Sequence, residues 1–202
     1  MELSINQITV RGELLGLPEF SHENHGKRFY RFCICVRRLS GTEDILPVIA
    51  QEAQLNQIDL SGGAMLRITG QVRSHNNREG GVRHLLIFIF AGEIVAEDGD
   101  PMNDLTIVGT ICKEPIYRRT PLGREICDVM LAVPRAFRRA DYLPCILWGR
   151  TAQEVCQCAV RDQIQIQGRL QSRNYTKLTE DGALERTAYE ISALSAQILT
   201  QE

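Results

Sequence analysis

Two large aromatic residues share one face of a predicted strand in the stretch "DYLPCILWGRTAQEV" (141–155), which contains the single tryptophan of the chain. Alternation with the strand period of two puts Tyr142 and Trp148 on the same face. The opposite face is uniformly apolar and typical of a core: Leu143, Cys145 and Leu147. Aromatic rings on the face away from the core are open to stacking on a planar partner or to packing against a second subunit, or they simply cap the barrel. The stretch therefore indicates a candidate binding face.

Basic residues accompany a third aromatic on the strand "QIQIQGRLQSRNY" (163–175), the clearest alternation in the chain. Its inward positions are Ile164, Ile166 and Leu170, and its outward positions include Arg169, Gln171, Arg173 and Tyr175. An arginine beside an exposed ring can contact a phosphate or lie flat on a base. Further basic residues fall in loops or at strand ends of the same region: Arg118, Arg119, Arg135, Arg138, Arg139 and Lys177. For any single loop arginine, an ordinary solvated surface is the alternative.

Composition excludes several classes of protein. Net charge is −2 and 44% of residues are apolar, which is typical of a globular protein. We expect a cytoplasmic protein with reduced thiols, because the N-terminus lacks the features of a signal peptide, no apolar run is long enough for a membrane span, and the cysteine count, 7, is odd. There is no C-x-x-C pair, phosphate-binding loop or catalytic signature, so we expect no metal, no cofactor and no enzymatic activity.

The chain repeats itself. "NQITVRG" (6–12) returns 97 positions later as "NDLTIVG" (103–109), and "GQVRS" (70–74) returns as "GRLQS" (168–172). A period this long predicts two complete small domains rather than a solenoid. The acidic stretch "AEDGDPMN" has the Gly and Pro of a linker. The predicted domains are therefore 1–97 and 103–202, joined by a linker at 98–102.

Each copy predicts three strands, a short helix and two further strands. In the second copy, Thr151 and Glu154 match a capping box, which predicts that a helix starts there. The inward positions of that helix would be Ala152, Val155, Cys156 and Ala159. This order of elements predicts an all-β protein with short helices, built as two tandem five-stranded OB-fold (Greek-key) barrels. Periodicity alone does not exclude another small barrel.

The motifs resemble those of the bacterial single-stranded DNA-binding protein family. "NDLTIVGTICKEPIYRRTPLGREICDVMLAV", "DYLPCILWGRTAQEV" and "QIQGRLQSRNYTKLTEDG" carry the resemblance across residues 103–199. The first copy is similar more weakly, mainly through "NQITVRGELLGLPEF" and "LRITGQVRSHNN". The resemblance implies sequence-independent binding of single-stranded DNA in replication, recombination or repair. It also implies that Tyr142, Trp148 and Tyr175, with Phe137 as an approximate match, stack on bases.

The first copy departs from this pattern at all four stacking positions, where it has Ser40, Ile45, Gln51 and Asn77. We therefore expect it to keep its fold but not its aromatic contacts. It would either contact DNA weakly or serve in assembly, and the sequence favours neither. The candidates for weak DNA contact are Arg67, Arg73, His75 and Arg78.

Partners follow from the same resemblance. Family members commonly assemble four barrels, so two copies per chain imply a homodimer. Many also carry an acidic C-terminal tail that recruits replication and repair proteins, whereas this sequence ends "LSAQILTQE", so that mode of recruitment is not expected. Two other functions remain open: a primosome-type accessory protein, and an OB-fold protein-interaction module whose aromatic face binds protein.

Overall fold

Strands dominate the computed structural model, which describes residues 5–60, 63–79, 82–179 and 182–199. The strands are β1 Asn6–Asn24, β2 Lys27–Arg37, β3 Glu43–Gln51, β4 Met65–Glu79, β5 Val82–Ala96, β6 Met102–Ile111, β7 Ile116–Arg119, β8 Glu125–Arg135, β9 Arg139–Trp148, β10 Gln163–Thr179 and β11 Gly182–Leu199. The helices are α1 Glu52–Leu55 and α2 Gly149–Val155, with a 3₁₀ turn at Ala136–Arg138. None of the helices in the described residues has the length and apolar character needed to cross a membrane.

The strands close into two five-stranded barrels. In the first barrel (β1–β5 with α1), the order around the wall is β1-β2-β3-β5-β4, and β4 returns to β1. In the second barrel (β6–β11 with α2), the order is β6-β8-β9-β11-β10, and β10 returns to β6, while the short β7 pairs antiparallel with β8. Each barrel closes through one parallel pair, β3 with β5 and β9 with β11. The predicted fold class of tandem OB-fold barrels is confirmed.

Apolar alternation accounts for the strands. Every second residue of β10 points inward, and Ile164, Ile166 and Leu170 are all 0% exposed. The same pattern holds on β2, where Phe32 and Ile34 are buried. Burial of these rows removes apolar surface from water, which is the main stabilising contribution to such a barrel.

Each barrel has a glycine at a β-bulge in the repeated motif "GQVRS" or "GRLQS". A Cβ on Gly70 would collide with the carbonyl oxygen of Phe90, and a Cβ on Gly168 would collide with that of Ser192. Both glycines sit at a register shift between the last two strands of their barrel, β4 with β5 and β10 with β11. The close backbone approach at a bulge explains why the repeat keeps glycine there.

The helix of the second barrel begins three residues earlier than the sequence predicted, since the capping box made Thr151 the N-cap residue. Its N-cap residue is Trp148, without a side-chain cap, so the capping box at Thr151 was wrong. Glu154 instead pairs with Arg150 one turn earlier, at 2.9 Å. Ala152 and Val155 are buried as predicted, but the helix ends at Val155 and Ala159 is exposed.

The two barrels share a continuous sheet through an antiparallel pairing of β1 with β6. Ile8 lies opposite Leu105, and these are equivalent positions of the repeat. A pair of equivalent residues facing each other is the mark of a two-fold axis, as in a symmetric dimer interface. The barrels are therefore related by an approximate two-fold axis that passes through this residue pair.

Reciprocal polar contacts hold the barrels together away from that axis. Asp44 on β3 accepts a hydrogen bond from the backbone amide of Ser172 on β10, at 2.8 Å. Asp141 on β9 accepts one from the amide of Ser74 on β4, at 2.7 Å. Both aspartates are 0% exposed. The β4–β5 ribbon of the first barrel thus lies against the second barrel, and the β10–β11 ribbon lies against the first.

Candidate nucleic-acid interface

The outer face of β9 carries the aromatic pair that the sequence predicted. Tyr142 is 45% exposed, whereas Trp148 is half-buried. The indole Nε1 of Trp148 donates to Oγ of Ser192 on β11, at 3.1 Å. Ser192 in turn lies opposite Arg169 on β10. One edge of the indole is therefore fixed by a hydrogen bond, and an arginine lies two strands away on the same face.

Tyr175 lies in a cleft that both barrels form. The cleft has a volume of about 470 Å³. Tyr175 and Pro144 line it from the second barrel, and Asn77 and Leu86 line it from the first. Pro144 shares its strand face with Tyr142 and Trp148, so the structure brings Tyr175 next to the β9 aromatic face.

The guanidinium of Arg173 lies near the ring of Tyr175, and Tyr175 is 39% exposed. The guanidinium carbon of Arg173 lies 5.7 Å from its centroid. Arg173 also approaches Glu190, with its Nε 3.8 Å from the carboxylate, and keeps 58% of its side chain exposed. The pair combines a stacking ring with a solvent-facing positive charge.

Phe137 protrudes from the loop between β8 and β9. It is 94% exposed, and its φ of 61° is in the left-handed region. Arg138 has the same backbone conformation, with a φ of 54°. Left-handed backbone is costly for residues with a Cβ, and such strain concentrates at functional sites. The adjoining Arg138 and Arg139 are exposed and form no ion pair within the described residues.

The other predicted loop arginines are engaged with carboxylates. Arg118 bonds both carboxylate oxygens of Asp128, and this hydrogen bonding raises the pKa of the guanidinium above its ordinary value. Arg119 pairs with Glu125 at 3.1 Å. Arg135 pairs with the buried Asp141 at 3.3 Å. The side chain of Lys177 lies outside the described residues.

The first barrel covers part of the strand face that the alternation of β10 predicted to be open. Gln171 faces away from its own barrel interior but is only 7% exposed, and it donates to Glu190 at 2.8 Å. Arg169 is half-buried and lines a junction cavity of about 760 Å³ with Arg38 and Asp44 of the first barrel. Burial, together with the nearby Arg38, lowers the pKa of Arg169. Gln171 and Arg169 thus point away from the interior of their own barrel but lie at the interface between the two barrels.

The weaker candidates of the first barrel are dispersed. Arg67 pairs with Glu97 at 2.7 Å, near the link between the barrels. The Nε of Arg73 lies 3.9 Å from Asp141 of the second barrel. His75 is exposed on β4, and the side chain of Arg78 lies outside the described residues. Of the candidates whose side chains are described, Arg73 and His75 lie on the part of β4 that approaches the second barrel.

Sequence reasoning missed three phenylalanines on the outer face of the first barrel: Phe29, Phe88 and Phe90. The signal available was the run "LLIFIF" (85–90), in which both faces of a strand are apolar. One face of that run is the core, with Ile87 and Ile89 buried. The other face then presents Phe88 and Phe90 outside the barrel.

No group of three or more His, Cys, Asp or Glu side chains within the described ranges is arranged to hold a metal ion. The seven cysteines are free thiols. The side chains described at the candidate interface offer stacking, hydrogen bonding and charge pairing.

Comparisons with known proteins agree with this architecture. The model of the single-strand binding protein family matches residues 102–199. The single-stranded DNA-binding protein B of Bacillus subtilis is 35% identical over 80 residues, which are 36% of this chain and 71% of that protein. The single-stranded DNA-binding protein of Bacillus cereus is 37% identical over 81 residues, which are 37% of this chain and 48% of that protein. The chain thus spans about half the length of several curated relatives that it matches.

A solved structure extends the likeness in fold to both barrels. The crystal structure of a deletion mutant of the single-stranded DNA binding protein from Thermus aquaticus has a TM-score of 0.80 to this chain. The match covers 100% of this chain and 98% of that one, at 19% sequence identity. At this identity, the similarity is one of fold, and it includes the tandem arrangement of the barrels.

Proposed function

The chain belongs to the single-strand binding protein family, and we propose that it binds single-stranded DNA without sequence preference and catalyses no reaction. The bases would stack on Tyr142, Trp148 and Tyr175 of the second barrel. Stacking on an unpaired base contributes about 1–3 kcal/mol and is tolerant of sequence, because every base has a π-face. We propose replication, recombination or repair in the bacterial cytoplasm as the setting, since DNA becomes single-stranded there during these processes.

The observation that carries this proposal is the orientation of Trp148. Its indole donates one edge to Ser192 and lies on the outer face of the barrel, at the far end of the strand face that also carries the half-exposed Tyr142. A hydrogen bond at the edge of a ring leaves the π-face as the surface for contact. Aromatic faces held this way are suited to stacking, whereas a duplex offers no unstacked base to receive them.

Charge supports the same proposal. Two carboxylates on the outer face of the second barrel, Asp128 and Glu190, are held by hydrogen bonds from Arg118 and Gln171. Arg138, Arg139 and Arg173 keep exposed guanidinium groups at the edges of that face. We propose that these three arginines contact phosphates, with smaller contributions from Arg118, Arg119, Arg135, Arg169 and Lys177.

We further propose a homodimer that presents four barrels, with domains at 1–97 and 103–202 and a linker at 98–102. The end of β5 at Ala96 and the start of β6 at Met102 support this division. The family resemblance supports the dimer. Analytical ultracentrifugation of the full chain tests it: the expected mass is that of two chains, and a stable monomer contradicts it.

Binding selectivity tests the function itself. The full chain is titrated with an oligo-dT of about 30 nucleotides, a matched duplex and an RNA of the same length, while the fluorescence of Trp148 is recorded. We expect strong quenching with dT and no competition by the duplex. Absence of dT binding at low salt would contradict the proposal and favour a protein-interaction module. Tight binding of partner proteins in addition to DNA would instead indicate an accessory role.

A further inference from the structure

The first barrel carries aromatic residues on the two strands that flank β3, where it lacks the tryptophan of the second barrel. In the second barrel, Trp148 on the central strand β9 lies opposite Ile126 on β8. In the first barrel, Gln51 on β3 lies opposite Phe29 on β2. The strand on the other side of β3 also contributes, because Ile49 lies opposite Phe90. The aromatic rings therefore flank the position of the missing tryptophan on both neighbouring strands.

These rings form a layered cluster on the outer face. The ring centroids of Phe29 and Phe90 lie 5.9 Å apart, with an interplanar angle of 35°. His22 stacks on Phe29 at 4.8 Å, with an interplanar angle of 8°. Phe29 is 9% exposed, whereas His22 is exposed and Phe90 is half-buried. His22 and Phe90 are thus the surface rings, and Phe29 supports them from below.

A positive charge is held over this cluster. The guanidinium carbon of Arg73 lies 5.3 Å from the centroid of Phe90. Burial is the main cause of the lowered pKa of the Arg73 guanidinium, and the nearby Arg135 adds to it. Arg73 and Arg135 both approach the buried carboxylate of Asp141, at 3.9 Å and 3.3 Å, so one carboxylate faces two guanidinium groups. The excess positive charge is suited to a phosphate.

The same face has exchanged carboxylates for other residues. Arg31 occupies the position that Asp128 has in the second barrel, and Phe88 occupies the position of Glu190. Arg31 is paired with Glu19, at 3.1 Å, with 67% of its side chain exposed. At these two positions the first barrel therefore has an arginine and a ring where the second barrel has carboxylates.

We propose that His22, Phe88 and Phe90, supported by Phe29, form a second base-stacking site, with Arg73 as its phosphate contact. This inference rests on the proposed function. The site is continuous with the second barrel, because Arg73 meets Asp141 and Arg135, and Arg135 begins the loop that carries Phe137. Single-stranded DNA that leaves Phe90 would therefore pass Phe137 as it crosses from one barrel to the other.

The test uses the full chain with Phe90→Leu, which removes the π-system but keeps an apolar side chain. Ile49→Val is the matched control, since it trims apolar surface on the neighbouring strand without removing a ring. Affinity for a long oligo-dT should fall about five- to tenfold in Phe90→Leu. The number of nucleotides occluded per chain should fall as well. The quenching of Trp148 by a short dT should be retained, because that residue reports on the second barrel alone.

Unchanged affinity and unchanged occlusion in folded Phe90→Leu, with Trp148 still quenched, would overturn this inference and leave the proposed function standing. If dT does not quench Trp148 in the unaltered protein, the proposed function is overturned instead. Ultraviolet crosslinking of dT to the unaltered protein removes any dependence on how the variant folds. Crosslinked peptides that contain Phe88 and Phe90 are expected. Crosslinks confined to peptides of residues 103–199 would contradict the second site.

Discussion

Asp44 of the first barrel accepts a hydrogen bond from the backbone amide of Ser172 in the second, while its carboxylate is also held by Arg38 of its own barrel at 2.7 Å. Asp141 repeats this arrangement in the opposite direction, with Ser74 and Arg135. Each barrel thus inserts one fully buried carboxylate against a ribbon of the other. These two contacts, together with the pairing of β1 with β6, set the position of the two barrels relative to each other.

Removing either carboxylate should therefore weaken the whole chain. We expect Asp44→Ala or Asp141→Ala to lower the free energy of unfolding by about 3 kcal/mol, since each leaves a half-buried arginine and a backbone amide without their partner. Urea unfolding followed by circular dichroism measures this. The control is Glu43→Gln, which breaks the exposed pair with Arg37 and should cost less than about 1 kcal/mol. Equal effects of Asp44→Ala and Glu43→Gln would show that the buried contacts contribute no more than surface pairs.

The β9 aromatic face should account for much of the affinity. Replacing both Tyr142 and Trp148 with Ala should weaken binding of poly-dT by about 2–6 kcal/mol if both rings stack fully. Because the double variant lacks tryptophan, its binding is measured by the anisotropy of a labelled oligonucleotide. Tyr117→Ala, which removes an exposed ring on β7, is the control and should bind like the unaltered protein. A folded double variant with full affinity would remove the stacking hypothesis.

Salt dependence should separate the arginines that are exposed from those that are paired. Each phosphate neutralised on a single strand contributes about 0.7 to the slope of log affinity against log salt. Changing Arg138 and Arg139 to Gln should make the slope shallower by about 1.4 for each second barrel that binds DNA. Changing Arg118 and Arg119 to Gln should have a smaller effect, because carboxylates already hold both side chains. If the two double variants flatten the slope equally, ion pairing within the protein does not decide which arginines meet DNA.

Arg173 and Arg169 provide a second comparison by the same measurement. Arg173→Gln should flatten the slope by about 0.7, since its guanidinium is exposed beside Tyr175. Arg169→Gln should change the slope less, because Arg169 is half-buried in the junction cavity. A larger slope change for Arg169→Gln would show that DNA enters that cavity.

The buried thiols should make stability depend on alkaline pH. Burial raises the pKa of Cys127 from an ordinary value of 9.0 to about 11, and it also raises the pKa of Cys145. A raised pKa in the folded state favours the protonated thiol, so this stabilisation is complete below about pH 9 and is lost as pH rises towards 11. In the native protein at pH 8, both cysteines should resist a thiol reagent such as DTNB, and denaturation should release all 7 thiols. Rapid native labelling of Cys127 would contradict its burial.

Much of the fold was predictable from the sequence because it depends on local patterns. Alternation along β10 and β9 identified the inward rows correctly, and the repeat identified two barrels. The start of α2 was not predictable in this way, because a Ser/Thr-x-x-Glu pattern also occurs inside a helix. Thr151 lies within the first turn, and Glu154 pairs with Arg150.

The remaining differences arise from contacts between residues far apart in the chain. Alternation indicates which side of its own barrel Gln171 faces, but not that the first barrel covers it. Comparing the copies position by position found Gln51 in place of Trp148. It could not find that Phe29 and Phe90 lie beside Gln51, because strand pairing alone brings these distant positions together. The rings that lie beside Gln51 are therefore determined by the pairing of strands in the sheet, and they cannot be read from any one segment of the sequence.

The pairing of Ile8 with Leu105 places two equivalent positions face to face within a single polypeptide. In a dimer of identical chains, every substitution at such an interface occurs twice, and dilution separates the partners. Here each half has its own codons, and the linker keeps the halves together at any protein concentration. One barrel is therefore free to change residues that its twin retains, and a single gene encodes two barrels with unequal outer faces in fixed proportion.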